Sequence, residues 1–134
     1  TTLEVSLLSL IIDSILDQNA NTLTYTYNDT TLDITLLNPV DNITSEIVTI
    51  YYHGIPQGDP SGWGGFYFNL NYAFNLGVGF GSDPHVFGRA WFPANDVFTD
   101  RATYTFHITT IAGYKAFCNG ILQGVTLHAN RNNT

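Results

Sequence analysis

The feature that most constrains this chain is a series of short segments in which apolar and polar residues alternate. A period of two places alternate side chains on opposite faces of a β-strand. Asn28-Asp29-Thr30 separates two such segments, and this turn chemistry predicts a β-hairpin. The alternating or strand-like segments are residues 23–27, 32–36, 47–52, 66–70, 102–110, 114–118 and 122–127.

Many short strands with regular turn signals predict an all-β fold, an antiparallel β-sandwich. Residues 3–15 predict either two short strands or one long strand; a helix over 7–16 is the alternative, which the β-branched residues disfavour. The chain of 134 residues is predicted to be a single domain spanning residues 1–134. A domain of this size buries roughly two-thirds of the surface of its unfolded chain.

The charge of the chain excludes several classes of partner. It carries four Lys plus Arg against eleven Asp plus Glu, a formal charge of −7. Nucleic-acid binding needs a basic patch that neutralises phosphates, so we expect no nucleic-acid partner and no attraction to anionic membranes. No apolar run reaches the about 18 residues of a membrane span, and residues 1–16 lack the basic start of a signal peptide.

Cys118 is the single cysteine, so the chain forms no internal disulfide. Its place in the apolar segment 114–118 predicts a buried, inert thiol.

The segment 54–88 is a long connection rich in glycine and aromatic residues, and such connections are usually functional or packed. Its rings either fill an open end of the sandwich or lie against a neighbouring domain. The second arrangement would leave an apolar patch on the isolated chain, which would then self-associate. These rings are Trp63, Phe66, Tyr67, Phe68, Tyr72, Phe74 and Phe80.

The segment that follows places an arginine beside two large rings. Trp91 and Phe92 precede Pro93, where the chain has to leave a strand ladder because proline has no N–H. In a chain with so few cations, Arg89 is predicted to have a specific partner. A charge-assisted bond to Asp96 or to a backbone carbonyl would lock the turn.

This combination of motifs resembles the N-terminal domain of the aminopeptidase N family of zinc metallopeptidases, in its secreted or cell-surface bacterial branch. The resemblance covers roughly residues 3–128, nearly the whole chain. The matching residues are Ile50-Tyr51-Tyr52-His53-Gly54-Ile55-Pro56, Trp63-Gly64-Gly65-Phe66-Tyr67-Phe68, Arg89, Trp91-Phe92-Pro93, Asp96, Arg101-Ala102-Thr103-Tyr104, Gly113-Tyr114 and Asn119-Gly120-Ile121-Leu122. The resemblance favours the interpretation that the rings of segment 54–88 lie against a neighbouring domain.

The resemblance implies a saddle-like, non-catalytic β-sandwich domain. The parent enzyme would release N-terminal residues from peptide substrates, using a zinc-bound water activated by a glutamate. Its partners would be the parent's catalytic domain and the peptide, and the parent would be exported. Arg89, Trp91, Phe92 and Asp96 are candidates for the substrate cleft or the domain interface. Asp83 is a further candidate, since an acidic group there suits the free amine of a substrate.

The departures from the family pattern limit what this chain is expected to do. The zinc-binding His-Glu-x-x-His helix is absent, and so is the Gly-x-Met-Glu-Asn loop, since the chain contains no methionine. Ala94 stands where many relatives have cysteine. The first strands of the family domain and the catalytic domain are expected to lie outside residues 1–134. We therefore expect this chain to bind no zinc and to be inactive, with zinc held by the parent enzyme.

Other chemistry has weaker support. The histidines at 53, 85, 107 and 128 lack the spacing of metal ligands, no Gly-x-Ser-x-Gly turn is present, and no helix follows the glycines at 77, 79 and 81. The sequons at Asn28, Asn42 and Asn132 carry little weight.

Two alternative functions stay open. One is a stand-alone β-sandwich module that binds carbohydrate or protein through exposed rings around Trp63, Tyr67 and Tyr72. The other is a degenerate peptidase in which the parent has lost its zinc site and this domain serves in assembly.

Overall fold

A computed structural model describes residues 1–41, 43–81, 83, 85–96 and 101–127. The chain divides into two compact units, Thr1–Thr99 and Asp100–Thr134. Within the described residues, every regular element belongs to the first unit. These elements are β1 (Thr2–Ser6), β2 (Ile11–Leu16), β3 (Thr24–Tyr27), β4 (Thr31–Thr35), β5 (Thr49–His53), β6 (Gly64–Phe68), β7 (Ala73–Gly79) and the 3₁₀ helix η1 (Gly88–Ala90).

The seven strands form three antiparallel sheets, in the orders β1-β4-β3, β2-β5 and β6-β7. This confirms the prediction of an all-β antiparallel fold. The layering of the sheets as a sandwich, and a single domain over the whole chain, stay predictions.

The hydrophobic core draws side chains from the first two sheets. Its fully buried centre consists of Leu32 and Ile34 of β4, Ile15 of β2, and Leu23 just before β3. Half-buried residues of β1 and β5 pack against this centre, among them Val5 and Ile50 on the faces that alternation predicts.

The first apolar stretch forms two strands, as one of the two sequence interpretations has it. The break comes at Ser9, whose positive φ of 51° turns the chain between β1 and β2. Tyr27 stabilises this break: its hydroxyl accepts a hydrogen bond from the Leu10 amide and donates one to the Leu7 carbonyl, each at 3.2 Å. Burial raises the pKa of this phenol, so it keeps its proton and both bonds.

The predicted β3–β4 hairpin is also confirmed. The Asn28 side-chain oxygen accepts bonds from the Thr30 amide at 3.1 Å and the Thr31 amide at 2.7 Å. Asp29 adopts φ = 68°, a conformation that Asn and Asp tolerate better than most residues.

The segment 54–88 is not simply a long connection, because it contains the β6–β7 hairpin. The alternation of Tyr72, Phe74, Leu76 and Val78 is a strand signal, but Gly77 and Gly79 obscure it, because glycine is disfavoured inside strands. Gly64 pairs with Gly79 where a side chain has no room: a Cβ on Gly64 would collide with the Val78 carbonyl oxygen.

Three strand predictions and one burial prediction are wrong in the second unit. In its described part, residues 101–127, no strand forms over 102–110, 114–118 or 122–127; only single bridge positions occur, at Thr110 and Leu127. The Tyr104 and Phe106 rings do stack, with centroids 6.1 Å apart, so they share a face as alternation predicts. An alternating sequence places side chains on two faces, but a buried strand also needs a hydrogen-bonded partner strand and a layer that packs on its apolar face. For the same reason Cys118 is exposed rather than buried.

Candidate functional site

The predicted cleft or interface residues lie on η1 and the turn that follows it. The turn is built by the Ala90, Trp91 and Phe92 amides, which donate back to the Phe87 and Gly88 carbonyls at 3.1–3.2 Å. Gly88 lacks a side chain where one would press on the Phe92 ring, since its Cβ would lie 3.2 Å from the tip of that ring.

This turn is fixed to the end of β1 by backbone hydrogen bonds. Ser6 and Ala94 exchange two bonds, of 2.8 and 2.9 Å, and the Leu8 amide donates to the Arg89 carbonyl at 2.7 Å. Ala94 therefore lies on a backbone ladder and is half-buried.

Arg89 forms the ion pair predicted for it. Its Nη1 donates to the Asp96 Oδ2 at 2.9 Å, and the two side chains are 26% and 9% exposed. The guanidinium carbon also lies 5.5 Å from the centroid of the Phe87 ring, within the range of a cation–π interaction. A charge-assisted bond at this low exposure fixes the far end of the turn to its start.

Trp91 and Phe92 form a half-buried aromatic corner. Their rings meet edge to face, with centroids 4.8 Å apart, and the Trp91 ring lies 5.7 Å from Phe66 of β6. The Tyr52 hydroxyl of β5 donates to the Trp91 carbonyl at 2.9 Å, and burial raises the pKa of Tyr52. The corner thus links β5 and β6, which belong to different sheets.

Asp83 does not join this cluster. It is exposed, and among the described residues no hydrogen bond or ion pair links it to Arg89, Trp91, Phe92 or Asp96. Four of the five candidates therefore form one rigid turn.

A second polar cluster, centred on Asp59, was not predicted from the sequence. The Asp59 carboxylate, in a residue that is 5% exposed, accepts bonds from the Ser61 hydroxyl, from the Ser61 amide at 3.1 Å and from the Gly81 amide at 3.4 Å. The hydrogen bond from Ser61 is the main cause that lowers the pKa of Asp59, so this carboxylate stays ionised. The available signal was Asp59-Pro60-Ser61-Gly62, which has turn residues at type I positions.

The rings of the β6–β7 hairpin do not form one continuous surface. Tyr67 and Phe74 stack with centroids 5.3 Å apart, and Tyr72 lies 6.0 Å from Phe74. Trp63 stands apart from this group, beside Phe80 at the other end of the hairpin. Contrary to the interpretation that these rings fill an end of the fold, Trp63, Phe68, Tyr72, Phe74 and Phe80 are exposed.

The described histidines occupy separate places. His53 Nδ1 lies 2.8 Å from the Asp13 carboxylate on the surface, His85 packs beside the Phe80 ring, and His107 is exposed. His128 and the sequon residues Asn42 and Asn132 lie outside the described residues. In the part of the chain that the structure describes, no three potential ligands of a metal ion come together.

Comparisons with protein families, with curated proteins and with solved structures found no match to this chain. In the ranges given above, no helix has the length and apolar character needed to cross a membrane.

Proposed function

We propose that this chain is the non-catalytic N-terminal domain of an exported, aminopeptidase N-like zinc peptidase. In this proposal the parent enzyme removes N-terminal residues from peptides, and its catalytic domain holds the zinc. The present domain packs against the catalytic domain and borders the substrate cleft.

The observation that supports this proposal best is the turn from Arg89 to Asp96. Four of the residues by which the sequence resembles the peptidase family, Arg89, Trp91, Phe92 and Asp96, lie on the turn that the ion pair and the Ser6–Ala94 bonds hold in place. A rigid turn with a half-buried Trp91–Phe92 corner suits a surface that has to keep its shape against a neighbouring domain.

The exposed apolar side chains of residues 101–127 give separate support. A soluble protein rarely leaves a large apolar patch uncovered, and such a patch usually marks a contact surface. The second unit exposes Ile111, Phe117, Ile121, Leu122, Val125 and Leu127.

Hydrolysis of aminoacyl chromogenic substrates tests the proposal. The full polypeptide that contains this chain and residues 1–134 alone are assayed side by side, with and without a zinc chelator. The full polypeptide should hydrolyse the substrates and lose this activity with the chelator, whereas residues 1–134 should show no hydrolysis. Silence from both would favour a degenerate peptidase or a binding module, and activity of residues 1–134 alone would refute the proposal.

A carbohydrate-binding module is the second candidate, and one observation favours it. The stacked Tyr67 and Phe74 rings with Tyr72 form a partly exposed aromatic platform on one hairpin. Two features count against it: Trp63 lies outside this platform, and Trp91 is packed in the corner described above. A glycan array with a Tyr72→Ala variant as control distinguishes this candidate, since ring-dependent binding would support it.

A further inference from the structure

A separate hollow lies at the open end of the β6–β7 hairpin. Trp63 and Phe80 come directly outside the paired residues Gly64 and Gly79, so they are neighbours across the two strands. With Ser61 they line a hollow of about 390 Å³. The two residues are 69% and 56% exposed, so much of each side chain is accessible, and the His85 ring lies 5.9 Å from the Phe80 ring.

The Asp59 network holds the walls of this hollow in place. Asp59 binds Ser61 on one side and the amide of Gly81, next to Phe80, on the other. The Ser61 hydroxyl, which donates its proton to Asp59, also accepts a hydrogen bond from the Trp63 amide at 3.2 Å. A ligand would therefore find two rings whose backbone positions are already fixed, which reduces the entropy lost on binding.

The unit that carries the hollow has a strongly negative net charge. Residues 1–99 contain ten of the eleven acidic residues but only one of the four Lys plus Arg, which is Arg89. That arginine is already paired with Asp96. The Asp59 carboxylate lies directly behind Ser61, and its lowered pKa keeps it ionised at neutral pH.

We propose that the Trp63–Phe80 hollow binds an organic ammonium ion, with the quaternary ammonium group as its best fit. The negative face of an aromatic ring attracts a cation, and Trp is the strongest of the aromatic side chains in this respect. The net negative charge of this unit favours a cation further and disfavours an anion.

The lining also argues against a neutral sugar in this hollow. Small-molecule sites orient polar ligands with a few well-placed polar groups. Among the described residues that line the hollow, Ser61 supplies the only polar side chain, and its hydroxyl is engaged with Asp59 and with the Trp63 amide. A quaternary ammonium group has no hydrogen-bond donors or acceptors to satisfy, so two rings and a negative field are sufficient.

Choline chloride and its neutral carbon isostere, 3,3-dimethylbutan-1-ol, form the test pair. Each is titrated into the 134-residue chain at constant chloride concentration, and the indole signal of Trp63 is followed by ¹H–¹⁵N NMR. A Trp63→Phe variant assigns that signal against Trp91. Choline should shift the Trp63 signal saturably, at about millimolar concentration, and about tenfold more tightly than the isostere.

Substitutions locate the site. Trp63→Ala should abolish saturable choline binding, measured by calorimetry, and Trp63→Phe should retain weaker binding, because phenylalanine also has a negative ring face. Tyr72→Ala is the matched control: it removes an exposed ring of the same hairpin outside the hollow and should leave the affinity unchanged. Trp63 is exposed, so we expect both Trp63 variants to fold, which circular dichroism verifies.

Three results would overturn the proposal. They are equal affinity for choline and the neutral isostere, unchanged choline binding in Trp63→Ala, and a saturable Trp63 shift with methyl glucoside but not with choline. None of these results bears on the peptidase proposal, which depends on other residues.

Discussion

At the scale of single residues, aspartates fix the turns of this chain. Asp17 accepts bonds from the Asn19 and Asn21 amides, Asp41 from the Ile43 and Thr44 amides, and Asp59 from Ser61 and Gly81. Hydrogen bonds to the ionised form lower the pKa of all three carboxyl groups. A sparsely charged chain thus uses its acidic residues as acceptors for backbone amides.

Asp59 makes the stability of the first unit depend on pH. Its folded-state pKa is lowered, mainly by the hydrogen bond from Ser61, relative to an unfolded value of about 3.9. The ionised form therefore stabilises the fold above about pH 4, and this contribution is lost as the pH falls through the folded-state pKa.

Between about pH 5 and pH 2 the free energy of unfolding should fall less in the Asp59→Asn variant than in the unsubstituted chain. Urea unfolding at a series of pH values measures it. Ser61→Ala removes the main partner of the carboxylate and should reproduce part of the effect. An identical pH dependence in all three proteins would contradict the prediction.

The Arg89–Asp96 pair gives a second residue-scale prediction. Asp96→Asn should lower the free energy of unfolding by about 1–3 kcal/mol, because it removes the charge from a hydrogen bond to a largely buried ion. Denaturant unfolding measures the loss, and the same change in the exposed turn residue Asp29 is the control. In a double-mutant cycle with Arg89→Gln, additive effects would show that the two side chains are not coupled.

At the scale of elements, strand pairing depends on backbone positions that only glycine can occupy. Gly64 combines φ = 88° with a backbone contact that leaves no space for a side chain, because it faces the carbonyl of Val78 in β7. Gly62, two residues earlier, has φ = 79° but open space around it. Substitutions at Gly62 and Gly64 therefore distinguish the conformational cost of adding a side chain from its steric cost.

Gly62→Ala should cost about 1 kcal/mol, since only the left-handed backbone conformation is penalised. Gly64→Ala carries the same penalty and also a collision that forces β6 and β7 apart, so its cost should be larger by at least about 1–3 kcal/mol. Thermal or urea unfolding compares the two variants. Equal costs would mean that the β6–β7 register at Gly64 differs from the one described here.

At the scale of the whole molecule, the exposed apolar surface of residues 101–127 governs behaviour in solution. Phe117 is 89% exposed, and Ile121, Leu122 and Leu127 are almost as accessible. Apolar surface removed from water contributes roughly 25 cal/mol per Å². Contact between two such surfaces is therefore favourable even without specific polar contacts.

We expect residues 1–134 to self-associate as concentration rises, and sedimentation velocity measures this directly. The variant Phe117→Ser with Leu122→Gln should shift the distribution towards monomer, because it removes two of the most exposed apolar side chains. Thr105→Ser, at an exposed polar position of the same unit, should change nothing. If unsubstituted residues 1–134 were monomeric at all concentrations, the prediction would be contradicted.

The sequence by itself determined the strand class and the β3–β4 hairpin, and it indicated Asp96 as one of two possible partners of Arg89. Each of these depends on short-range information: alternation sorts side chains between faces, Asn28-Asp29 favours a tight turn, and a scarce cation close to an acid tends to pair with it.

The tertiary structure decided what depends on distant contacts. The Ser6–Ala94 ladder, the Tyr52–Trp91 bond and the clamp from Asp59 to Gly81 join residues 22 to 88 positions apart in the chain, and no local pattern encodes which of them meet. The predictions of a strand over 102–110 and of a buried Cys118 were wrong for the same physical reason. A periodic segment becomes a buried strand only when a partner strand and a covering layer are present to satisfy its backbone and enclose its apolar face.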